Sequence, residues 1–167
     1  EIILPNSLRR IGTNAFKGCH SLKKIIIPDS VDVIGDFAFS ECRNLTEVTF
    51  GNSISEIGYN AFSGCEKLQN ISLPEGLVRL ESDTFKRCSS LTEVTLPSSL
   101  TFIGEWAFEQ CEAHSKINIP DSVEIISDFA FLECTKLSRI EIPSSVKAIG
   151  ISAFRRCSNL SEVIIAS

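Results

Sequence analysis

The seven cysteines of this chain are evenly spaced, and this spacing constrains the fold more than any other feature. Each lies 23 residues after the previous one: Cys19, Cys42, Cys65, Cys88, Cys111, Cys134 and Cys157. Phenylalanine recurs with the same period from Phe16 to Phe154, and a proline recurs in every repeat except the third, where Gly51 takes its place. A fixed period of about 20 to 50 residues indicates a solenoid, whose coils bury their apolar side only against their neighbours. The sequence therefore predicts a single solenoid domain over residues 1–167, made of about seven repeats.

The second repeat shows how one coil is built. Ile25 and Ile27 alternate with Lys24 and Ile26, and this period of two predicts a short strand. Pro28 follows at once and ends the strand, because proline has no amide proton for a sheet ladder. The strands of successive coils are therefore expected to form one parallel sheet along one face.

The second half of the coil carries a different spacing. Ile34, Ala38, Phe39 and Cys42 recur at intervals of three and four residues, which predicts one or two helical turns after Gly35. The inward side of the stack is expected to consist of eight columns of residues repeated every 23 positions. In the second repeat these are Ile25, Ile27, Val31, Ile34, Ala38, Phe39, Cys42 and Leu45.

These motifs resemble the leucine-rich repeats. Leu22-x-x-Ile25-x-Ile27 has the L-x-x-L-x-L strand signature of that family. The segment from Ile119-Pro120 through Phe131 and Cys134 resembles the BspA-type subclass in particular, and the likeness recurs along essentially the whole chain. The resemblance implies an α/β solenoid, curved and right-handed, with a parallel sheet on its concave face and short helical turns on its convex side. It also implies a surface or secreted adhesion and recognition protein without catalytic residues.

Composition excludes two classes of partner. The net charge is −5 with a pI near 5.1, and no basic stripe is present, which argues against nucleic-acid binding. No stretch reaches the roughly 18 consecutive apolar residues of a membrane-spanning helix. The chain has no methionine and no polar capping repeat at either end, so we expect it to be a segment of a longer protein.

The reactive residue types do not form a recognisable catalytic or metal-binding pattern. Zinc sites usually pair cysteines two to four residues apart, whereas these lie 23 apart, so we expect free structural thiols and neither a metal nor a cofactor. Free thiols persist more easily in a reducing cytosol, which leaves a cytoplasmic location as an alternative. His20 follows Cys19, and His114 occupies a column that is otherwise leucine. His114 is either part of a local site or a tolerated defect with its ring at the coil edge, and we expect no enzymatic activity.

Two outward surfaces are candidates for binding a protein partner. The first, called the sheet face here, is formed by the outward residues of the predicted strands: Lys24, Glu47, Thr49, Asn70, Ser72, Glu93, Thr95, Lys116, Asn118, Arg139 and Glu141. The second, called the apolar patch, comprises Phe102, Trp106, Ile125 and Phe129 on the other side of the coil. The alternatives are a plain solvated sheet surface for the first and partial burial against neighbouring coils for the second.

The sequence thus favours a non-enzymatic, monomeric recognition or adhesion module of a surface or secreted protein. Its expected ligand is a protein, with host and extracellular-matrix proteins as the candidates that the family resemblance implies. One alternative is a structural spacer that holds other domains apart without a ligand of its own. Another is an accessory binding domain of a larger enzyme.

Overall fold

The computed structural model describes residues 2–166 and is a parallel β-solenoid with two rows of strands. The long-strand row contains β2 (Lys24–Ile26), β4 (Glu47–Thr49), β6 (Asn70–Ser72), β8 (Glu93–Thr95), β10 (Lys116–Asn118), β12 (Arg139–Ile142) and β14 (Glu162–Ile165). The short-strand row contains β1 (Arg10–Ile11), β3 (Val33–Ile34), β5 (Glu56–Ile57), β7 (Arg79–Leu80), β9 (Phe102–Ile103), β11 (Ile125–Ile126) and β13 (Ala148–Ile149). We number the coils from 1 (residues 2–23) through 2 (24–46), 3 (47–69), 4 (70–92), 5 (93–115) and 6 (116–138) to 7 (139–161).

The predicted strands and their period are confirmed. Strands of successive coils pair in parallel with a constant offset of one repeat, as in Lys24↔Glu47 and Lys116↔Arg139. In each three-residue strand of the long-strand row the central residue is buried and its two neighbours are exposed. This alternation follows from the pleat, which sends successive side chains to opposite faces.

The predicted helical turns are wrong, because residues 2–166 contain no helix. The segment that was expected to be helical, such as 35–42 in coil 2, is a run of tight turns with two left-handed residues per coil. Phe37 has φ 55° and Glu41 has φ 60°. An L-residue in this region breaks a right-handed helix. With no helix among the described residues, none of them forms a candidate membrane-spanning helix.

Hydrogen bonding explains why turns replace helices. The amides of Phe37, Phe39 and Glu41 donate to carbonyl oxygens of the next coil at 2.7–2.8 Å. The amides between them donate within their own coil, as Ser40 does to Phe37. A helix would use every such amide for bonds within the segment and leave none to join the coils. The short-strand row also joins successive coils by backbone pairing, as in Val33↔Glu56.

The core is a set of stacked columns. Phenylalanine rings from Phe16 to Phe154 are stacked with centroids 5.2–5.8 Å apart and planes within 18° of parallel. Beside them run the cysteines, all of which are free and all but Cys19 buried. From Cys42 onward each thiol donates to a phenylalanine carbonyl of the preceding coil at 3.1–3.3 Å, as Cys65 does to Phe39. The prediction of free structural thiols is confirmed for these residues.

The expectation of one continuous parallel sheet is wrong, because strand pairing is interrupted at two junctions. Between coils 3 and 4 both rows stop: β4 does not pair with β6, and β5 does not pair with β7. Between coils 5 and 6 only the long-strand row stops, at β8 and β10. The two strands on either side still lie in contact at both breaks of the long-strand row, so the sheet face continues across them.

Candidate protein-binding faces

The structure places every predicted sheet-face residue on one exposed surface. All eleven side chains are exposed, and they form two parallel columns along the solenoid. One column contains the six residues Lys24, Glu47, Asn70, Glu93, Lys116 and Arg139, and the other contains Thr49, Ser72, Thr95, Asn118 and Glu141. Residues 23 apart are brought into register by pairings such as Ser72↔Thr95 and Asn118↔Glu141.

Charges on this face are paired at its ends and unpaired at its centre. Lys24 Nζ lies 2.6 Å from Glu47 Oε2, and Arg139 lies 3.4 Å from Glu162 Oε2. Both pairs are more than half exposed, so each contributes less than about 1 kcal/mol to stability. Among residues 2–166, Glu93 and Lys116 make no ion pair within 4 Å. The centre of the face therefore carries charges that are free to meet a partner.

One feature of this face was not recognised from the sequence. A groove of about 640 Å³ runs beside β2 between the sheet and the turn at Pro28. Its floor and walls include Ile3 and Ile26, which are 87% and 65% exposed. The signal was present in the alternation of the strand, since isoleucine occupies the outward column in coils 1 and 2, where coils 3 to 6 have Thr, Ser or Asn and coil 7 has Glu141. The sheet face thus has an apolar end and a polar centre.

The apolar patch is brought together by the turn side of coils 5 and 6. Trp106 and Phe129 are stacked in parallel with centroids 5.5 Å apart, and the Phe102 and Ile125 backbones pair in the short-strand row. The three aromatic side chains are half-buried, and Ile125 is 40% exposed. The surface is thus partly buried against its own neighbours.

Cations already cover part of this patch. The Arg79 guanidinium lies 3.8 Å from the centroid of Phe102, and Lys86 Nζ lies 5.6 Å from that of Trp106. Trp106 and Phe129 both have left-handed backbones, with φ 51° and 56°. A left-handed backbone costs an L-residue about 1–2 kcal/mol. Contacts within the chain therefore already occupy part of the surface of these rings.

The histidines do not form a catalytic site. The exposed His20 ring lies 3.0 Å from the Glu41 carbonyl through Nδ1, so it is oriented toward the next coil rather than toward Cys19. His114 is wholly buried, stacked 6.0 Å from Phe108, and neither ring nitrogen has a hydrogen-bond partner. The expected position at the coil edge is therefore wrong for His114. Its burial lowers the pKa of the imidazole below the ordinary value of 6.5, so the ring is held in its neutral form.

The buried cysteines from Cys42 to Cys134 also lack the features of a reactive site. Burial raises the pKa of the Cys42 thiol to about 11 and that of Cys111 well above its usual value. Because the thiolate is the form that reacts with oxidants and binds metals, these thiols are protected. At Cys157 the pKa of the thiol is instead lowered, chiefly by its hydrogen bond with Cys134. Within residues 2–166 no group of three or more His, Cys, Asp or Glu side chains is arranged to hold a metal ion.

Comparisons with known proteins agree with this architecture. A family model described as the BspA type leucine rich repeat region, in 6 copies, matches residues 1–113 and 61–167. No curated protein matches the chain. The solved structure of a leucine rich repeat protein from T. pallidum is similar over 96% of this chain and 77% of that one, with 31% identity and a TM-score of 0.89.

Two further solved structures have the same fold. A leucine-rich repeat protein from Bacteroides ovatus is 34% identical over 96% of this chain, with a TM-score of 0.63. This chain spans about half of that protein, 53% of its length. A leucine rich cell surface protein from Faecalibacterium prausnitzii is 23% identical over 96% of this chain and 70% of that one, with a TM-score of 0.54. At that identity the likeness shows the fold alone.

Proposed function

Because this chain belongs to the BspA-type leucine-rich repeat family, we propose that it is a non-enzymatic protein-recognition module that contacts its partner with the sheet face. The observation that supports this most directly is the centre of that face. There, Glu93 and Lys116 are exposed and have no ion pair among the described residues, beside the polar column of Thr95 and Asn118. Exposed charges of both signs on one face favour a partner of complementary charge pattern.

Adhesion at the cell surface is the setting that we propose for this recognition. The F. prausnitzii protein is described as a cell surface protein, although its likeness to this chain establishes only the fold. Free cysteines no longer favour the cytoplasm over this location, because the thiols from Cys42 to Cys134 are wholly buried. A host or extracellular-matrix protein bound by a single copy of this chain is the corresponding proposal for the partner.

A pull-down with the immobilised chain against plasma and extracellular-matrix proteins tests the recognition role. The sheet-face variant carries Glu47→Lys and Glu93→Lys, which changes the net charge from −5 to −1. The matched control carries Glu105→Lys and Glu112→Lys, two exposed residues of coil 5 outside the long-strand row, with the same change in net charge. We expect the native chain and the control to capture a common protein that the sheet-face variant does not capture.

Other outcomes favour specific alternatives. Capture by the sheet-face variant but not by the control would contradict the proposed face and point to the side that carries Trp106. Equal capture by all three would mean that neither charged surface takes part. If none of them captures a protein, the structural spacer becomes the better explanation. If the chain captured a protein only when it was joined to a catalytic domain, the role of an accessory binding domain in a larger enzyme would be the better explanation.

A further inference from the structure

The junction between coils 3 and 4 is unlike every other junction of the stack. At the remaining junctions from coil 1 to coil 7 the short-strand row is paired, and the amide that follows each strand donates to the preceding coil at 2.8–2.9 Å. The donors are Gly35, Gly58, Gly104, Ser127 and Gly150. Glu81 is their counterpart in coil 4, and its amide has no such bond to Ile57. The amide of Val78, the residue just before β7, likewise makes no bond to the preceding coil. Its counterpart in coil 5, the amide of Thr101, donates to the Val78 carbonyl oxygen.

Glu81 accounts for much of this difference. Glycine occupies its column in five of the other six coils, and the reason is steric. A Cβ built at Gly58 or Gly104 would lie 2.4–2.8 Å from atoms of the preceding coil, closer than real Cβ contacts. Glu81 does carry a Cβ, and its carboxylate accepts a hydrogen bond from Arg79 Nε at 3.0 Å. The residue therefore separates its coil from coil 3 at the level of the short strands.

A side chain in this column is not sufficient by itself. Ser127 occupies the same column in coil 6, yet its amide still donates to Ile103 at 2.9 Å. Coil 4 differs in a second respect: Thr84 replaces the usual alanine, and its hydroxyl donates to the Glu81 carbonyl at 2.6 Å. In coil 3, Phe50 stands where the other coils have leucine or isoleucine, and its ring is packed edge-on against Phe62 of the same coil at 5.9 Å.

The separation leaves a cleft. Its volume is about 340 Å³, and its walls come from both coils, including Tyr59 of coil 3 and Val78 of coil 4. These two side chains are 51% and 49% exposed. The amides of Val78 and Glu81 make no backbone hydrogen bond across this gap. An amide without such a bond is less protected from exchange.

The turn side of the same junction, formed by the tight-turn segments of coils 3 and 4, keeps its hydrogen bonds between the coils. The amides of Asn60, Phe62 and Gly64 donate to Ser82, Thr84 and Lys86 at 2.8–3.0 Å, as their counterparts do elsewhere. Phe62 and Phe85 remain stacked, although at 5.8 Å their centroids are the farthest apart in the phenylalanine column. The two coils are thus hydrogen-bonded along the turn side and unpaired along both strand rows.

We propose that this junction is a joint, kept open by Glu81, about which coils 1–3 and coils 4–7 move as two bodies. The turn side acts as the hinge, and motion opens or closes the strand side. Since the sheet face crosses the joint between Thr49 and Ser72, movement changes the spacing between its two halves. The joint follows from the packing of the coils and does not depend on whether the sheet face binds a partner.

Amide hydrogen exchange followed by NMR tests the joint directly. In the native chain we expect protection factors at Val78 and Glu81 to be at least about tenfold lower than at Thr101 and Gly104, their counterparts in coil 5. Glu81→Gly restores the residue type of the other coils. It should raise the protection factors at positions 78 and 81 to within about threefold of those at 101 and 104.

Ser127→Gly is the matched control, because it makes the same kind of change in a coil whose ladder is already paired. It should leave protection at positions 78 and 81 unchanged. Equal protection at the two junctions of the native chain would overturn the proposal. So would protection at position 78 that stays low in Glu81→Gly, since Glu81 would then not keep the junction open.

Discussion

The junctions on the two sides of coil 4 are built from the same repeat and packed differently. Toward coil 5, both strand rows pair, and Gly104 allows the backbones to approach. Toward coil 3, neither row pairs, and Glu81 stands where the other side has glycine. The phenylalanine column runs through both junctions without a break. The comparison teaches that the core columns keep the coils stacked on one another. The backbone hydrogen bonds between strands determine how rigidly neighbouring coils are joined.

The largest effect is expected from removing a ring of the phenylalanine column. Phe108→Ala in coil 5 and Phe62→Ala in coil 3 each delete a wholly buried ring, and such changes cost about 3–5 kcal/mol of unfolding free energy. The cost depends on how far the cavity can collapse. We expect Phe62→Ala to lie at the lower end, because coil 3 can move toward coil 4 across the unpaired strands. Urea unfolding measures both values, and a larger loss for Phe62→Ala would contradict the difference between the junctions.

A glutamate introduced in coil 5 at the position equivalent to Glu81 should open a second junction. Gly104→Glu places a Cβ where it would lie 2.7 Å from the Leu80 oxygen, so we expect a loss of about 1–3 kcal/mol and faster exchange at Thr101. Gly12→Glu is the control, since no atom of residues 2–166 beyond its chain neighbours lies within 4 Å of a Cβ built at Gly12. If both substitutions had the same effect, steric separation of the coils would not be the cause. Thermal unfolding and amide exchange together check this prediction.

Replacing the buried histidine should stabilise the junction between coils 5 and 6. His114→Leu restores the leucine column and removes two unpaired ring nitrogens, whose burial costs about 1–3 kcal/mol. Burial lowers the pKa of His114 in the folded chain, so the unfolded chain binds the proton more readily. The native chain should therefore lose stability as the pH falls below about 6.5, and the advantage of His114→Leu should grow.

Unfolding free energies at pH 7.5 and 5.5 measure this effect. Leu137→His introduces the same ring into the leucine column of coil 6 and should produce a similar acid sensitivity in the otherwise native chain. An advantage of His114→Leu that does not change with pH would mean that the ring is not held neutral by burial.

The smallest effect is expected on the sheet face. Glu47→Gln removes the exposed ion pair with Lys24 and should change the unfolding free energy by less than about 1 kcal/mol. It lies inside the body formed by coils 1–3, so exchange at Val78 and Glu81 should also stay unchanged. A change in exchange there would show that charges on the sheet face, rather than the packing at Glu81, control the joint.

The sequence predicted the repeat, the strands and the core columns, because each rests on a pattern that repeats in every coil. Ile25, Phe39 and Cys42 are buried as their period indicates, and Glu47 and Thr49 are exposed as the alternation of β4 requires. The spacing of Ala38, Phe39 and Cys42 matches that of a helix, but the segment that contains them is not helical. Tight turns with two left-handed residues per coil place the same residues inward without a helix. The local spacing of apolar residues does not distinguish such turns from a helix.

The sequence could predict the candidate faces only as columns of outward residues that repeat every 23 positions. That Lys116 and Glu93 are exposed follows from the strand pattern, but their lack of ion pairs depends on side chains brought together from different coils. In the apolar patch, the structure brings the rings of Trp106 and Phe129 together. Its partial burial, and the cations over Phe102 and Trp106, depend on how coils 4 and 5 are stacked. Binding by either face stays a prediction.

The amino-acid sequence by itself determined the architecture of this protein, since a 23-residue period with inward columns has no other way to bury its apolar residues than stacking. Only the tertiary structure decided how the coils are joined. Glu81 marked coil 4 as irregular in sequence, whereas Ser127 at the same column is harmless. The difference arises because the cost of a Cβ in this column depends on the backbone of the preceding coil, a neighbour 23 residues away that local sequence does not describe.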